Sequence, residues 1–287
     1  MGNPFLDATT VSVTTPGTYD ATIDGSWNLR PLPQGGIVSA VALRAMSEHL
    51  DDPRQHLRTM HTTFVAQVAH GPVRIDVDLL RRGRSMSHLR AEVRNPGEQR
   101  GHLTTAVFGA ARDGFTFVDL EPPRVPPPGA CRSFRDPPPE GIEPFPPMPF
   151  WEMRVEGRSA AGHAPWEDYE PDRAELVTWY RFDDPPFGAD GTIDPLALVV
   201  LVDTMPGAVG EKSGRTGRPW FAPSVDLTVH LLEDCRSPWL LAHNRARHAG
   251  EGYASADMAL WDCGPDGTDV PRLVAYATQV LFFTFPD

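Results

Sequence analysis

A chain of 287 residues, 40% hydrophobic and 22% charged, is long enough for one large globular domain or two of ordinary size. Its formal net charge of −12 argues against a nucleic-acid surface, which needs a basic face, although a local arginine cluster can still seat a small anion. The three cysteines, Cys131, Cys235 and Cys263, are too irregular for a disulfide framework, and no run approaches the ~20 apolar residues of a membrane span.

Met1 to Thr15 has neither a basic nor an apolar signal region, so a signal peptide is not expected and the cytoplasm is the default compartment. Thr18 to Leu29 carries β-branched and aromatic residues and reads as one or two short strands. Gly35-Gly36 then opens a helix over Ile37 to Leu50 that is apolar nearly all round, with Arg44, Ser47 and Glu48 towards its end. Such a helix must be buried. Strand-like runs follow at Thr59 to Val68, Val73 to Arg81, Ser87 to Arg94 and Leu103 to Ala111. Turns at His70-Gly71, Arg82-Gly83 and Asn95-Pro96-Gly97 join them.

Next comes a proline-rich stretch, residues 121–150, with Pro126-Pro127-Pro128, Pro137-Pro138-Pro139 and Pro146-Pro147. Proline lacks the N–H that a hydrogen-bond ladder requires, so this stretch is expected to be a surface linker between halves 1–120 and 151–287. The second half repeats the order of the first. Leu176 to Phe182 is a strand, and Pro195 starts an apolar helix from Leu196 to about Met205. Strands follow at Ser224 to Leu232, Trp239 to Arg247, Gly252 to Trp261 and Leu273 to Phe283. An all-round apolar helix followed by four antiparallel strands suggests a sheet curled round one central helix, and the chain does this twice.

Four motifs carry a resemblance. Gln34-Gly35-Gly36-Ile37-Val38-Ser39-Ala40-Val41-Ala42-Leu43-Arg44-Ala45 resembles the first central helix of the acyl-CoA thioesterase II family, and Leu80-Arg81-Arg82-Gly83-Arg84-Ser85-Met86-Ser87 resembles its basic-glycine hairpin. Pro223-Ser224-Val225-Asp226-Leu227-Thr228-Val229-His230 and Leu273-Val274-Ala275-Tyr276-Ala277-Thr278-Gln279 resemble segments of its second half. The resemblance implies an α+β double hotdog of two fused units. It also implies an acyl-CoA thioesterase that hydrolyses fatty or related acyl-CoA through an activated water. Coenzyme A would then be part of the substrate, with no separate cofactor and no metal. Pairing of hotdog sheets into a homo-oligomer is a further implication.

The resemblance also implies a water-positioning trio: Asp203 on the second helix, Ser224 opening the next strand and Gln279 in the last strand. The family more often has threonine at the Ser224 position, but the hydroxyl is kept. From the residues alone, Asp203 in an apolar helix is equally well a general base with a raised pKa or an exposed cap before Pro206. Gln279 alone suits a solvent-facing strand position, and Ser224 alone suits a turn. In the first half, Thr59 is expected to match Ser224, Phe108 to stand where Gln279 stands, and Arg44 or Ala45 to stand near the Asp203 position. That half would then contribute acyl-pocket walls, with a backbone N–H at Gly35-Gly36 or the turn before the second helix as oxyanion donor. Arg81, Arg82 and Arg84 read either as a seat for coenzyme A phosphates or as a solvated hairpin tip.

Other readings are weaker. Gly210-Glu211-Lys212-Ser213, within Gly207 to Gly217, is not a phosphate loop, because no lysine directly follows a glycine. No G-x-S-x-G elbow is present, and the ten histidines lack metal-ligand spacing. A hotdog hydratase would want a histidine shortly after Asp194-Pro195, which is missing. A non-catalytic acyl-CoA or acyl-carrier binder, and a pathway-specific thioesterase, stay open as alternatives.

Overall fold

The computed structural model describes residues 2–143, 146–164, 166–214 and 218–286. In its first half the strands are β1 (Ser12–Thr15), β2 (Thr18–Ile23), β3 (His56–Phe64), β4 (Gly71–Arg81), β5 (Met86–Arg94) and β6 (His102–Gly109), with helices α1 (Pro4–Thr9) and α2 (Gly35–Leu50). In the remainder they are β7 (Arg132–Ser133), β8 (Val155–Ala161), β9 (Glu175–Phe182), β10 (Asp226–Leu231), β11 (Leu240–Gly250), β12 (Tyr253–Asp262) and β13 (Arg272–Phe282). The helices there are α3 (Pro149–Met153), α4 (Pro195–Val202) and α5 (Pro206–Ser213).

All these strands form one antiparallel sheet in the order β1-β2-β4-β5-β6-β3-β10-β13-β12-β11-β9-β8-β7. The order is a palindrome of roles. Reading outward from the middle, β3-β6-β5-β4-β2 in one half is matched by β10-β13-β12-β11-β9 in the other. The seam is the β3–β10 pair, running from Thr59↔His230 to Thr63↔Asp226, and the backbone N–H of Phe64 extends it to the carbonyl of Val225 at 3.1 Å.

The two central helices explain why the sheet curls. Each carries apolar side chains all round: α4 buries Leu196 to Val202 without a break, and α2 buries eleven of its sixteen residues. Burying a Val or Leu side chain contributes roughly 1.5–3 kcal/mol, so a helix of this kind is stable only when surrounded. The sheet wraps both helices and they pack on each other, giving one core continuous across the seam. They run antiparallel: Gly36, at the start of α2, lies against Val199 and Val200 near the end of α4, while Arg44 pairs with Asp194 at the start of α4.

Several expectations shift. The helix expected to run to about Met205 stops at Val202, because Pro206 has no N–H to give to the Val202 carbonyl. Asp203 is therefore the helix C-cap rather than a residue within it, and Pro206 opens α5 instead. Ser224 lies just before β10, in an isolated bridge to Leu281. Thr59 sits inside β3, paired with Val107 and His230, and is not the counterpart of Ser224. Helices α1, α3 and α5 are too short to show a period. Strand β8 is rich in Gly, Ala, Arg and Ser, so pairing with β9 rather than propensity makes it a strand.

Of the proline-rich segment 121–150, Pro144 and Phe145 lie outside the described residues, as do residues 215–217 of the stretch Gly207 to Gly217. Part of the proline-rich segment covers a second apolar cluster built on Trp179, Trp239 and Trp261, and Trp179 donates its indole N–H to the Pro126 carbonyl at 2.9 Å. Contrary to expectation it also supplies a strand. Arg132 and Ser133, which keep their N–H groups, pair with Ser159 and Arg158 at the sheet edge, where proline neighbours are tolerated.

Candidate active site

The antiparallel helix contact brings the start of α2 to the end of α4, and Gln34 fastens them. Gln34 caps α2 by accepting the Ile37 N–H on Oε1 at 3.0 Å. Its Nε2 donates to the carbonyls of Val200 at 2.7 Å and Asp203 at 2.9 Å, which would otherwise be orphaned at the end of α4. One side chain thus closes two helix ends and fixes where the Asp203 backbone lies. In the sequence Gln34 stands out only as the first residue of the motif that runs to Ala45. A capping-competent amide directly before Gly35-Gly36 was the available signal.

The Asp203 carboxylate points into this junction and is 6% exposed. Its Oδ2 accepts the Gly36 N–H at 2.8 Å, and its Oδ1 accepts the Ser224 hydroxyl at 3.2 Å together with the Gln279 amide. Gln279 Nε2 also donates to Ser224 Oγ at 2.8 Å. The three residues expected from the sequence, drawn from a helix cap, a strand approach and the last strand, therefore meet in one hydrogen-bonded cluster. Gln279 is 1% exposed, so it does not face solvent, and its Oε1 has no hydrogen-bond partner.

Two effects oppose each other at Asp203. Burial disfavours the ionised form, while the amide of Gln279, the hydroxyl of Ser224 and the backbone N–H groups of Gly36 and Gly35 favour it. The positive end of α2 adds to the favourable side. Burial wins and pushes the carboxyl up to about 6. A carboxylate poised there is ionised at neutral pH and still basic enough to take a proton.

The other expected site residues separate into two groups. Gly35 and Gly36 lie in the cluster, but the Gly36 N–H is taken by Asp203, so it is not a free oxyanion donor. Arg81, Arg82 and Arg84 are exposed on the β4–β5 hairpin. That hairpin is tied to the His56 end of β3, through Gln55 Nε2 to the Gly83 carbonyl and Ala110 N–H to the Ser85 carbonyl, both at 3.0 Å. Phe64, at the other end of the same strand, is the residue beside Gly35. At ~3.4 Å per residue, β3 runs for roughly 27 Å from His56 to Phe64, so the arginines lie away from the Asp203 cluster.

In the first half Phe108 is buried, and Arg44 forms an ion pair with Asp194, which also caps α4 through the Leu196 N–H at 3.0 Å. A groove of about 490 Å³ bordered by Pro128, Arg158, Arg181 and Trp239 shares no residue with the Asp203 cluster. Among the described residues, no helix is long and apolar enough to cross a membrane.

Comparison with known proteins bears on the same residues. Residues 23–110 match the acyl-CoA thioesterase N-terminal domain and residues 128–283 match the acyl-CoA thioesterase C-terminal domain. Among solved structures, the chain is similar to a conserved protein of unknown function with a hotdog fold from Alicyclobacillus acidocaldarius. The two are 25% identical, with a TM-score of 0.80 over 100% of both chains. It is also similar to an acyl-CoA thioesterase II from Mycobacterium marinum, 21% identical with a TM-score of 0.74 over 99% of both chains. A further likeness is to a putative thioesterase II from Thermobifida fusca, 21% identical with a TM-score of 0.76 over 98% of both chains. No curated protein matches. The fold is an α+β double hotdog.

Proposed function

Since the chain belongs to the acyl-CoA thioesterase family, we propose that it hydrolyses a fatty or related acyl-CoA to the free acid and coenzyme A, through a water activated by Asp203, Ser224 and Gln279. The observation that carries this reading is the convergence of those three side chains on one buried carboxylate titrating near 6.

In this mechanism Asp203 takes a proton from the water as its oxygen attacks the thioester carbonyl carbon. The C–S bond of the tetrahedral intermediate then breaks. The proton returns from Asp203 to the departing thiolate, so the enzyme ends as it began. Ser224 and Gln279 hold the carboxylate in place, and the unpartnered Gln279 Oε1 is an acceptor suited to the water's second hydrogen. A binder without catalysis has no use for this set, and a hydratase histidine is missing beside Asp194, which instead caps a helix. The three cysteines are unpaired, which supports a reducing, cytoplasmic setting.

The reading predicts a specific pH profile. Because Asp203 must be ionised, kcat/KM with an acyl-CoA should rise about tenfold per pH unit below its pKa and level off above about 6. Thiol release from a panel of acyl-CoAs provides the measurement. A profile flat from about pH 4.5 to 8 would remove Asp203 as the base. Ser224→Ala deletes a donor that stabilises the ionised carboxylate, so its acid limb should lie at higher pH than that of the wild type. A limb displaced to lower pH would contradict the assigned hydrogen bond.

A further inference from the structure

We propose that Phe64, contributed by the half without the acid, determines which acyl groups reach Asp203. The proposal rests on the thioesterase reading and adds the substrate feature being selected, namely the bulk next to the thioester carbonyl.

Phe64 ends β3 at the seam, and its backbone N–H bonds the carbonyl of Val225, so it stands across the seam from the residue that follows Ser224. Its ring is close to the carboxylate. A β-carbon placed on Gly35 would lie 2.6 Å from Phe64 Cε1 and 2.8 Å from Asp203 Oδ2, so the ring edge and the carboxylate face each other over one bare Cα. Around the buried carboxylate, Gly35, Phe64 and Ser224 are the half-buried residues, whereas Gly36, Gln279 and Asp203 are buried. An approach to Asp203 from solvent therefore passes between Phe64 and Ser224. Ser224 lines it with a hydroxyl already engaged by Asp203 and Gln279, and Phe64 lines it with an apolar edge.

The ring is also held from behind. His102, paired with Phe64 across β3 and β6, meets it edge to face at 4.8 Å and 89°. Burial holds the imidazole down to about 4, so it is neutral and acts as a flat wall rather than a charge. Thr62 and Thr104 on the same strands share a hydroxyl bond at 2.7 Å, and Ser39 of α2 joins them at 3.0 Å, which stiffens the ground below the ring. A rigid apolar edge beside the attacking position limits branching at the carbon next to the carbonyl. The thiol portion of the substrate is common to every acyl-CoA and gains nothing from such a wall.

The test compares wild type, Phe64→Ala and Phe64→Leu on straight-chain, 2-methyl-branched and aromatic acyl-CoAs, and on the same acyl groups carried by N-acetylcysteamine. The expected result is that Phe64→Ala raises the branched-to-straight ratio of kcat/KM by about tenfold, that Phe64→Leu lies between, and that the change is the same for both thiols. Equal changes for all acyl groups, or a change that follows the thiol, would overturn the proposal. A wild type that hydrolyses none of the thioesters would instead overturn the thioesterase reading, so the two failures are distinct. Should Phe64→Ala fail to fold, the leucine variant supplies the comparison, with a smaller rise in the branched-to-straight ratio.

Discussion

Asp203→Asn should lower kcat by about 10²–10⁴-fold while leaving a folded protein, because it removes the proton acceptor and keeps the shape. Its effect on stability should depend on pH, which separates a chemical role from a structural one. In the folded protein the carboxyl titrates at about 6 rather than 3.8, so its ionised form is disfavoured there by about 3 kcal/mol. The sign follows from proton counting: between these two values the folded state binds more protons than the unfolded chain, so stability falls as pH rises. The penalty is absent below about 3.8 and complete above about 6. Asparagine carries no charge and escapes it.

Asparagine brings a different cost. The carboxylate accepts from Gly36, Ser224 and Gln279, and an amide offers only one oxygen, so at least one buried donor loses its acceptor. An orphaned donor costs roughly 1–3 kcal/mol at any pH. Near pH 8 the two effects nearly cancel, and near pH 4 only the loss remains. The variant should therefore melt close to wild type at alkaline pH and below it in acid, while its thiol release stays at the residual level throughout. A variant within tenfold of wild-type kcat would show that Asp203 is not the base.

How much of this was legible in the sequence depends on what kind of signal each feature leaves. The central helices were readable because residues apolar on every side have no alternative to burial, and the repeat was readable because the same order occurs twice. The trio was readable through resemblance, since neither Ser224 nor Gln279 carries local information about partners so distant along the chain. The end of α4 was misplaced by three residues because apolar periodicity continues to Met205, while the hydrogen-bond ladder is broken by Pro206. The arginine hairpin keeps both of its readings for a topological reason. Charge density does not tell which end of β3 a turn will adjoin, and so does not tell how far Arg81, Arg82 and Arg84 lie from Asp203. Phe64 left no signal at all, because an apolar residue ending a strand looks like core until the seam with β10 gives it a half-exposed neighbour.

Gly36→Ala should be the most destabilising single-methyl change at the site, by about 2–4 kcal/mol, although alanine normally improves a helix over glycine by about 1 kcal/mol. A β-carbon there would sit 2.6 Å from the Val199 carbonyl oxygen and 2.8 Å from the Val200 Cα, both backbone atoms of the facing helix. Backbone cannot rotate away as a side chain can, so α2 and α4 must separate along a junction enclosed by the sheet. Separation lengthens the Gly36 N–H bond to Asp203 and the Gln34 bonds to Val200 and Asp203, so activity and melting temperature should fall together. Gly35→Ala provides the contrast. Its β-carbon would meet the rim of the Phe64 ring and Asp203 Oδ2, side-chain atoms rather than the backbone of the facing helix, so it should cost activity with a smaller loss of stability. If Gly36→Ala melts at the wild-type temperature, the two helices are not in backbone contact at this residue, and the seat of the carboxylate must be built by some other means. Calorimetry of the two variants beside thiol-release assays decides it.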